Sequence, residues 1–176
     1  MALPLRAPGP LAFVDELAAQ DAPAGEQAAA PLLHLIAFQL DREEYGVPVA
    51  CVREVSRVGE ITRVPQAPDH IRGVMNLRGR ILPVLELRTR LGHPPLTTPG
   101  SQARVVVAEI HGRVLGLLVD SVAQVLKVPS DRVVPPPDDA RSVAADYLTG
   151  VAQVDSRLII LLDLERMLQP GPVPHA

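Results

Sequence analysis

The chain has 176 residues, enough for one generous domain or two small ones and too few for most multidomain enzymes. Hydrophobic residues make up 47% of it and charged residues 21%, which excludes disorder of the whole chain. Four aromatic residues and no tryptophan predict an aliphatic core and argue against a surface on which nucleic-acid bases stack. A single cysteine excludes a disulfide framework and a thiolate metal site, so the expected compartment is the cytoplasm.

Residues 1–30 are predicted to form a flexible, acidic tail rich in alanine and proline. One arginine and four carboxylates give this segment a charge of −3, which equals the formal net charge of the whole chain. A short docking helix that begins after Pro10 is the alternative. The segment lacks the charged-then-apolar pattern of a signal peptide, and no aliphatic run approaches the roughly 20 residues that span a bilayer. We therefore expect neither export nor membrane insertion.

Residues 31–170 contain an internal repeat. The segment 37–55 recurs 70 positions later at 107–125, and the segment 70–87 recurs 77 positions later at 147–164. We therefore predict an all-β domain with short helices, made of two similar barrels at about 31–96 and 103–170 that are joined by residues 97–102. A single sandwich of about ten strands would use the same strands and remains open at this point.

Each copy of the repeat predicts the same short elements in the same order. A first hairpin turns at 41–43 or at His111-Gly112, and a second one turns around Arg78-Gly79 or Asp155-Ser156. Between the two hairpins, valines recur at every third position, a spacing that predicts one or two helical turns lying on the sheet. These valines are Val49, Val52 and Val55 in the first copy and Val119, Val122 and Val125 in the second. A last amphipathic turn ends each copy.

Motifs of catalysis and metal binding are missing from the sequence. It contains no glycine-rich phosphate loop, no nucleophile elbow and no zinc-protease helix motif. None of the five histidines lies three or four residues from another histidine or from the cysteine, as a metal site would require. Cys51, inside the first valine series, is interpreted as a structural thiol rather than a nucleophile. We predict no catalytic residue, no metal and no cofactor.

The segment from Arg53 to Arg90 carries a marked excess of positive charge. Eight arginines and four acids give it a charge of +4, while the rest of the domain carries −4. A sequence pI near 5.9 and a single lysine do not fit a nucleic-acid surface. Because the planar arginine side chain pairs with carboxylates and is enriched at interfaces, the segment favours a protein-binding face over a solvated surface.

The stretch from Ile71 to Arg88, which contains Gly73-Val74-Met75-Asn76-Leu77-Arg78-Gly79, closely resembles the signature of the CheW family of chemotaxis coupling proteins. Further segments resemble the family in the same order: Tyr45-Gly46, Val52-Arg53-Glu54-Val55, Gly116 with Val119-Asp120, and Tyr147-Leu148-Thr149-Gly150. The resemblance covers residues 32 to 169. It implies two tandem five-stranded SH3-like β-barrels and a function without catalysis.

The resemblance implies a non-enzymatic adaptor. CheW-like proteins bridge the cytoplasmic tip of a methyl-accepting chemoreceptor to the regulatory domain of a CheA-type histidine kinase. These two proteins, together with other CheW-like proteins, are the expected partners, and the chain is expected in the cytoplasm, recruited to membrane-associated receptor arrays. Two alternatives remain: a CheW-like scaffold of a twitching, gliding or developmental chemosensory pathway, and, from a different class, an SH3-like protein that binds nucleic acid.

The resemblance also suggests site residues. Carried over by motif, the receptor-binding candidates are Val52, Glu54, Gly73, Asn76 and Arg78, with Glu54 and Arg78 expected near each other as a charge pair. The expected place of the receptor tip is the groove between the barrels. Two hydrophobic residues of the first half, interpreted as strand-edge positions, are the kinase-binding candidates: Ile36 and Val47.

Overall fold

A computed structural model describes residues 30–136 and 146–169 of the chain. Residues 1–30 were expected to form a flexible tail or, alternatively, a short docking helix. Both expectations concern residues that lie almost entirely outside this part. Within it lie twelve strands, two short α-helices and short turns of 3-10 helix. The fold is therefore all-β with short helices, as the sequence predicts.

The first half of the described chain contains β1 (Leu32–Leu40), β2 (Glu43–Pro48), β3 (Val52–Arg57), β4 (Ile61–Thr62), β5 (Ile71–Leu77) and β6 (Arg80–Glu86). The second half contains β7 (Arg104–Ile110), β8 (Arg113–Val119), β9 (Ser121–Pro129), β10 (Val133–Val134), β11 (Leu148–Val154) and β12 (Arg157–Leu162). Two short helices follow the second hairpins, α1 (Leu87–Arg90) and α2 (Leu164–Leu168). Turns of 3-10 helix occur at Val49–Cys51 and Ser130–Arg132.

The strands form two six-stranded sheets with the orders β10-β11-β12-β2-β1-β9 and β4-β5-β6-β8-β7-β3. Each sheet has five longer strands and one strand of two residues. When each strand is replaced by its counterpart in the repeat, one order becomes the other. Every neighbouring pair is antiparallel except β12 with β2 and β6 with β8, which are parallel.

The sheets divide the chain differently from the two consecutive barrels expected at about 31–96 and 103–170. The hairpin β1–β2 belongs to the sheet of β9 to β12, and the hairpin β7–β8 belongs to the sheet of β3 to β6. The two halves therefore exchange their first hairpins. A sequence repeat shows that the two copies have similar local elements, but it does not determine which copy of a hairpin completes each sheet.

The main hydrophobic core lies between the exchanged hairpins. One large cluster joins Phe38 of β1 and Val47 of β2 to Val106 of β7 and Leu117 of β8, all of them fully or almost fully buried. A smaller cluster lies within each sheet, one around Met75 and the other around Val128, Ala152 and Ile159. Aliphatic side chains dominate all three clusters, as the composition predicts.

The valines spaced by three do not form the predicted helical turns, apart from the 3-10 turn at Val49–Cys51. Val52 lies opposite Ala108 and Val55 lies opposite Val106, with Arg53 as the extra residue of a β-bulge. Because Val106 and Ala108 are two residues apart, they face the same side of the sheet, and the bulge brings Val52 and Val55 to that side as well. The second copy has the same irregularity in β9, where Val122 and Val125 lie opposite Phe38 and Ile36.

Candidate functional site

A groove lies beside the tip of the β5–β6 hairpin. The turn of this hairpin, the first residues of β3 and the turn of the β7–β8 hairpin surround it, and it has a cavity volume of about 410 Å³. The lining includes Arg53, Glu54, Leu77, Arg78, Arg80 and Ile81. We call this surface the hairpin-tip groove. Two of the five receptor-binding candidates, Glu54 and Arg78, line it.

The expected charge pair between Arg78 and Glu54 is present. Nη1 of Arg78 lies 3.1 Å from Oε2 of Glu54, and the two side chains are 78% and 30% exposed. An exposed pair of this kind contributes only about 0–1 kcal/mol to stability, because water screens it. A second ion pair, between Arg53 and Glu109, crosses from β3 to β7. The groove therefore presents paired charges whose ends are open to solvent.

The backbone of the hairpin tip holds Arg78 in an uncommon conformation. Its φ is 52° and that of Gly79 is 82°, the two positive values that a tight two-residue turn between antiparallel strands requires. Asn76 supports the turn, since its Oδ1 accepts a hydrogen bond of 3.0 Å from the backbone N–H of Gly79. Asn76 thus stabilises the turn that presents Arg78, although its own side chain is exposed.

Gly73, another receptor-binding candidate, is a buried position under strand β4. Its φ is 153°, and a Cβ atom there would lie 2.2 Å from the carbonyl oxygen of Thr62. Gly150, its counterpart in the repeat, has the same close approach to strand β10, with a Cβ placed 2.9 Å from the carbonyl oxygen of Val134. Both glycines let a two-residue strand pack against the sheet. The structure therefore gives Gly73 a packing role.

The remaining candidates are partly or fully buried. Val52 is half-buried and packs against the main core at the start of β3. Ile36 is 8% exposed and Val47 is fully buried, and both belong to the main core. Their side chains face inward, which differs from the accessible strand-edge positions expected for a contact with a kinase. β1 and β2 are inner strands of a sheet, not its edges.

Several residues that line the hairpin-tip groove were not among the candidates, and the most exposed apolar one is Ile81. Its side chain is 73% exposed, the largest exposure among the big hydrophobic residues of the described part. Its counterpart Leu158, in the other sheet, is 63% exposed. The sequence of β6 could have revealed this exposure. Neighbouring residues of a strand point to opposite faces, so Leu82 and Val84 on the inner face place Ile81 on the outer one.

A partly buried ion pair connects the two halves of the chain. Nε of Arg88, in α1, donates a hydrogen bond of 2.8 Å to Oδ1 of Asp120, between β8 and β9. Oδ2 of Asp120 accepts another of 2.8 Å from the backbone N–H of Asp41, in the β1–β2 turn. Burial alone would raise the pKa of Asp120, but the hydrogen bonds and positive charge of Arg88, with the Asp41 amide, bring it below the ordinary value.

A second polar cluster holds His93, which follows α1, against the first hairpin. The hydroxyl of Tyr45 contacts Oε2 of Glu43 and lies 3.0 Å from Nε2 of His93. Burial, followed by the hydrogen bond and the charge of Glu43, raises the pKa of Tyr45 far above its ordinary value. Tyr45 therefore stays neutral and acts as a structural hydrogen-bond donor.

In residues 30–136 and 146–169, no three side chains of histidine, cysteine, aspartate or glutamate are grouped so that they could hold a metal ion. No helix within the same two ranges has the length and apolar character needed to cross a membrane.

Known proteins resemble this chain over nearly all of its described part. The family model described as the CheW-like domain matches residues 34–170. The chemotaxis protein CheW of Klebsiella aerogenes is 36% identical over 131 residues, which cover 74% of this chain and 78% of that protein. Protein FrzA of Myxococcus xanthus is 33% identical over 143 residues, which cover 80% of this chain and 88% of that protein.

The fold is similar to that of a solved scaffolding protein. The crystal structure of TtCheW from Thermoanaerobacter tengcongensis has a TM-score of 0.73 and 31% sequence identity, and the match covers 80% of this chain and 94% of that one. These comparisons confirm the resemblance seen in the sequence. The chain belongs to the CheW-like domain family, whose members are scaffold and adaptor proteins rather than enzymes.

Proposed function

We propose that this chain is an adaptor that couples methyl-accepting chemoreceptors to a CheA-type histidine kinase in a membrane-associated array. The observation that carries the proposal is the match to the CheW-like domain over residues 34–170. The hairpin-tip groove supports it, since an exposed arginine and an exposed isoleucine side by side are typical anchors of a protein interface. Such an adaptor acts by linkage: its binding changes which kinase state the assembly favours.

The receptor tip contacts the hairpin-tip groove in this proposal. Arg78 reaches the partner from the turn, Ile81 supplies apolar contact area, and Glu54 orients the guanidinium of Arg78. Asn76 and Gly73 contribute indirectly, because they maintain the turn and the packing of the same hairpin. Val52 supports the groove from the main core.

The kinase domain contacts the other sheet, around the position equivalent to Ile81. Ile36 and Val47 are buried, so the contact requires other side chains. Leu158 is 63% exposed and Val125 is 59% exposed, although both are large and apolar. Leu158 is the counterpart of Ile81 in the repeat, and an apolar side chain exposed at the same place on each sheet can serve as the contact for one partner.

Reconstitution tests the adaptor function. The chain is mixed with the CheA-type kinase encoded in the same genome and with vesicles that contain the matching receptor. We expect co-sedimentation of all three proteins and faster kinase autophosphorylation only when chain and receptor are both present. Failure of the chain to bind either protein would remove the proposal.

A scaffold of a chemosensory pathway for another behaviour is the second candidate. The match to FrzA, at 33% identity and 88% coverage of that protein, is the observation that favours it, since that relative carries a different name from the chemotaxis proteins. Deletion of the gene distinguishes the two candidates. Loss of swimming chemotaxis supports the first, and loss of twitching, gliding or development with normal swimming supports the second.

A further inference from the structure

A basic cavity lies at the opposite end of β3 from the hairpin-tip groove. It has a volume of about 660 Å³, and three arginines line it: Arg57 at the end of β3, Arg104 at the start of β7, and Arg72 in β5. Gly100 and Ser101 of the linker between the halves form part of its wall. We call this surface the basic cavity.

Two of these arginines are placed directly against each other. Arg57 and Arg104 are partners in the register of β3 and β7, so their side chains leave the same face of the sheet. Like charges in directly opposite positions destabilise a pair of strands. Neither takes part in an ion pair with a described carboxylate, and Arg104 donates instead to the backbone carbonyls of Ser101 and Ala103, at 3.1 and 2.7 Å.

The third arginine shapes the cavity. Nη1 of Arg72 lies 3.1 Å from Oε2 of Glu86, a carboxylate that is 5% exposed as a residue, so its charge is balanced. The same guanidinium donates to the carbonyl oxygens of Leu96 and Thr97, at 2.6 and 3.2 Å. Oε1 of Glu86 in turn accepts from the backbone N–H of Leu96. These contacts hold the chain at Leu96 and Thr97, just before the linker residues that line the cavity, and Arg104 holds Ser101 and Ala103 in the wall itself.

We propose that the basic cavity binds an acidic segment of a partner protein, with carboxylates of that segment pairing with Arg57 and Arg104. The planar guanidinium accommodates a carboxylate through two parallel hydrogen bonds, and a carboxylate between the two arginines would remove their repulsion. The site shares β3 with the hairpin-tip groove but lies at the other end of the strand, so both surfaces are open to partners together. It goes beyond the proposed coupling of receptor and kinase and does not depend on it.

Fluorescence anisotropy of a labelled oligoglutamate peptide, titrated with the full chain at physiological salt, tests the proposal. We expect saturable binding that Arg57→Gln weakens by roughly tenfold, the loss of one charge-assisted contact. Arg113→Gln, at an exposed arginine at the start of β8, is the matched control and leaves the affinity unchanged within about twofold. Because Arg57→Gln also removes the repulsion across the strands, its melting temperature stays equal to or rises above that of the unchanged chain.

Four outcomes would overturn the proposal. One is the absence of saturable binding. Another is an equal loss of affinity in Arg57→Gln and Arg113→Gln, because it would indicate general electrostatic attraction of the peptide rather than binding at a defined site. A lowered melting temperature of Arg57→Gln would show that the arginine serves the fold. Displacement of the peptide by inorganic phosphate or a short oligonucleotide at lower concentration than by unlabelled peptide would assign the cavity to phosphate groups.

Discussion

Arg78 shows how a single side chain can be available for binding without being needed for stability. Its guanidinium is largely exposed, and its pair with Glu54 is screened by water. The turn that carries it is held by the backbone geometry of Arg78 and Gly79 and by the hydrogen bond from Gly79 to Asn76. The position of the side chain is thus set by the turn, while its charge is free to act on a partner.

Arg78→Glu is expected to abolish receptor-dependent stimulation of the kinase while the free energy of unfolding falls by at most about 1 kcal/mol. The change reverses the charge that faces the receptor and places two carboxylates side by side at an exposed position. Kinase autophosphorylation with receptor vesicles and urea denaturation measure the two effects. Arg132→Glu, the same charge reversal at an exposed arginine outside both proposed interfaces, is the control and preserves the stimulation. A fall in stability with stimulation intact would contradict the assignment.

Gly73→Ala is expected to destabilise the protein by about 3 kcal/mol, because the new methyl group collides with the carbonyl of Thr62 and the backbone cannot yield locally. Gly79→Ala is the matched control: its φ is also positive, at 82°, but nothing lies within 4 Å of the added atom. It should cost only about 1 kcal/mol, the strain of the left-handed backbone. Urea denaturation compares them, and equal losses would show that the close approach to β4 is unimportant.

At the scale of elements, the hairpins carry both the fold and the proposed binding surfaces. The repeat gives each sheet an equivalent second hairpin, with Ile81 exposed on one and Leu158 on the other. The two copies differ in their tips, since Arg78-Gly79 in the first corresponds to Asp155-Ser156 in the second. Similar hairpins with different charges can therefore present different surfaces to two partners.

Ile81→Asp and Leu158→Asp are expected to separate the two proposed interfaces. The first should weaken receptor binding by roughly tenfold or more and preserve kinase binding, and the second should do the reverse, as expected for loss of an apolar anchor at one interface. Both side chains are mostly exposed, so neither change should affect folding. Pull-down with each purified partner measures the effects. If both variants lost the same partner, the assignment of one interface to each sheet would be wrong.

The elements also show which sequence patterns lead to a wrong prediction of secondary structure. The valines spaced by three predicted helical turns, yet four of them, Val52 and Val55 in β3 and Val122 and Val125 in β9, lie in strands where a bulge brings positions three apart to one face. A bulge is created by pairing with a neighbouring strand, here β7 or β1, and that neighbour is distant in sequence. By contrast, the two-residue turns at Arg78-Gly79 and His111-Gly112 were predictable, because their conformation depends on adjacent residues.

At the scale of the whole molecule, the ion pair of Arg88 with Asp120 connects elements of both halves. The side chains are 12% and 20% exposed, so water screens the pair only partly. Asp120 also accepts from the β1–β2 turn, which belongs to the exchanged hairpin. The pair therefore links α1, the β8–β9 junction and the hairpin that the first half contributes to the other sheet.

Asp120→Asn is expected to lower the free energy of unfolding by about 2 kcal/mol near neutral pH, because the half-buried Arg88 loses its partner. Since the pKa of Asp120 is lowered in the folded state, this stabilisation is complete above the ordinary aspartate pKa of about 3.9 and is lost as the pH falls through the lower folded value. Urea denaturation from neutral to acidic pH measures the gap between the two proteins, which should close at low pH.

The control for this prediction is Asp155→Asn, at an exposed turn position outside the described ion pairs. It should change the free energy of unfolding by no more than about 0.5 kcal/mol at any pH. A gap for Asp120→Asn that stayed constant down to strongly acidic pH would contradict a role of its charge.

The sequence by itself determined the all-β class, the aliphatic core, the repeat and the hairpin turns, and its resemblance to a known family implied both the family and the pairing of Glu54 with Arg78. These follow from short-range patterns and from motifs in a fixed order. Only the tertiary structure decided that the first hairpin of each half joins the sheet of the other half, and that Ile36 and Val47 are buried in the core between these two hairpins. It also decided that Arg57 and Arg104 meet at one cavity. Alternation along a strand reveals which residues share a face, but the partner of that face is selected by packing between segments far apart in the chain.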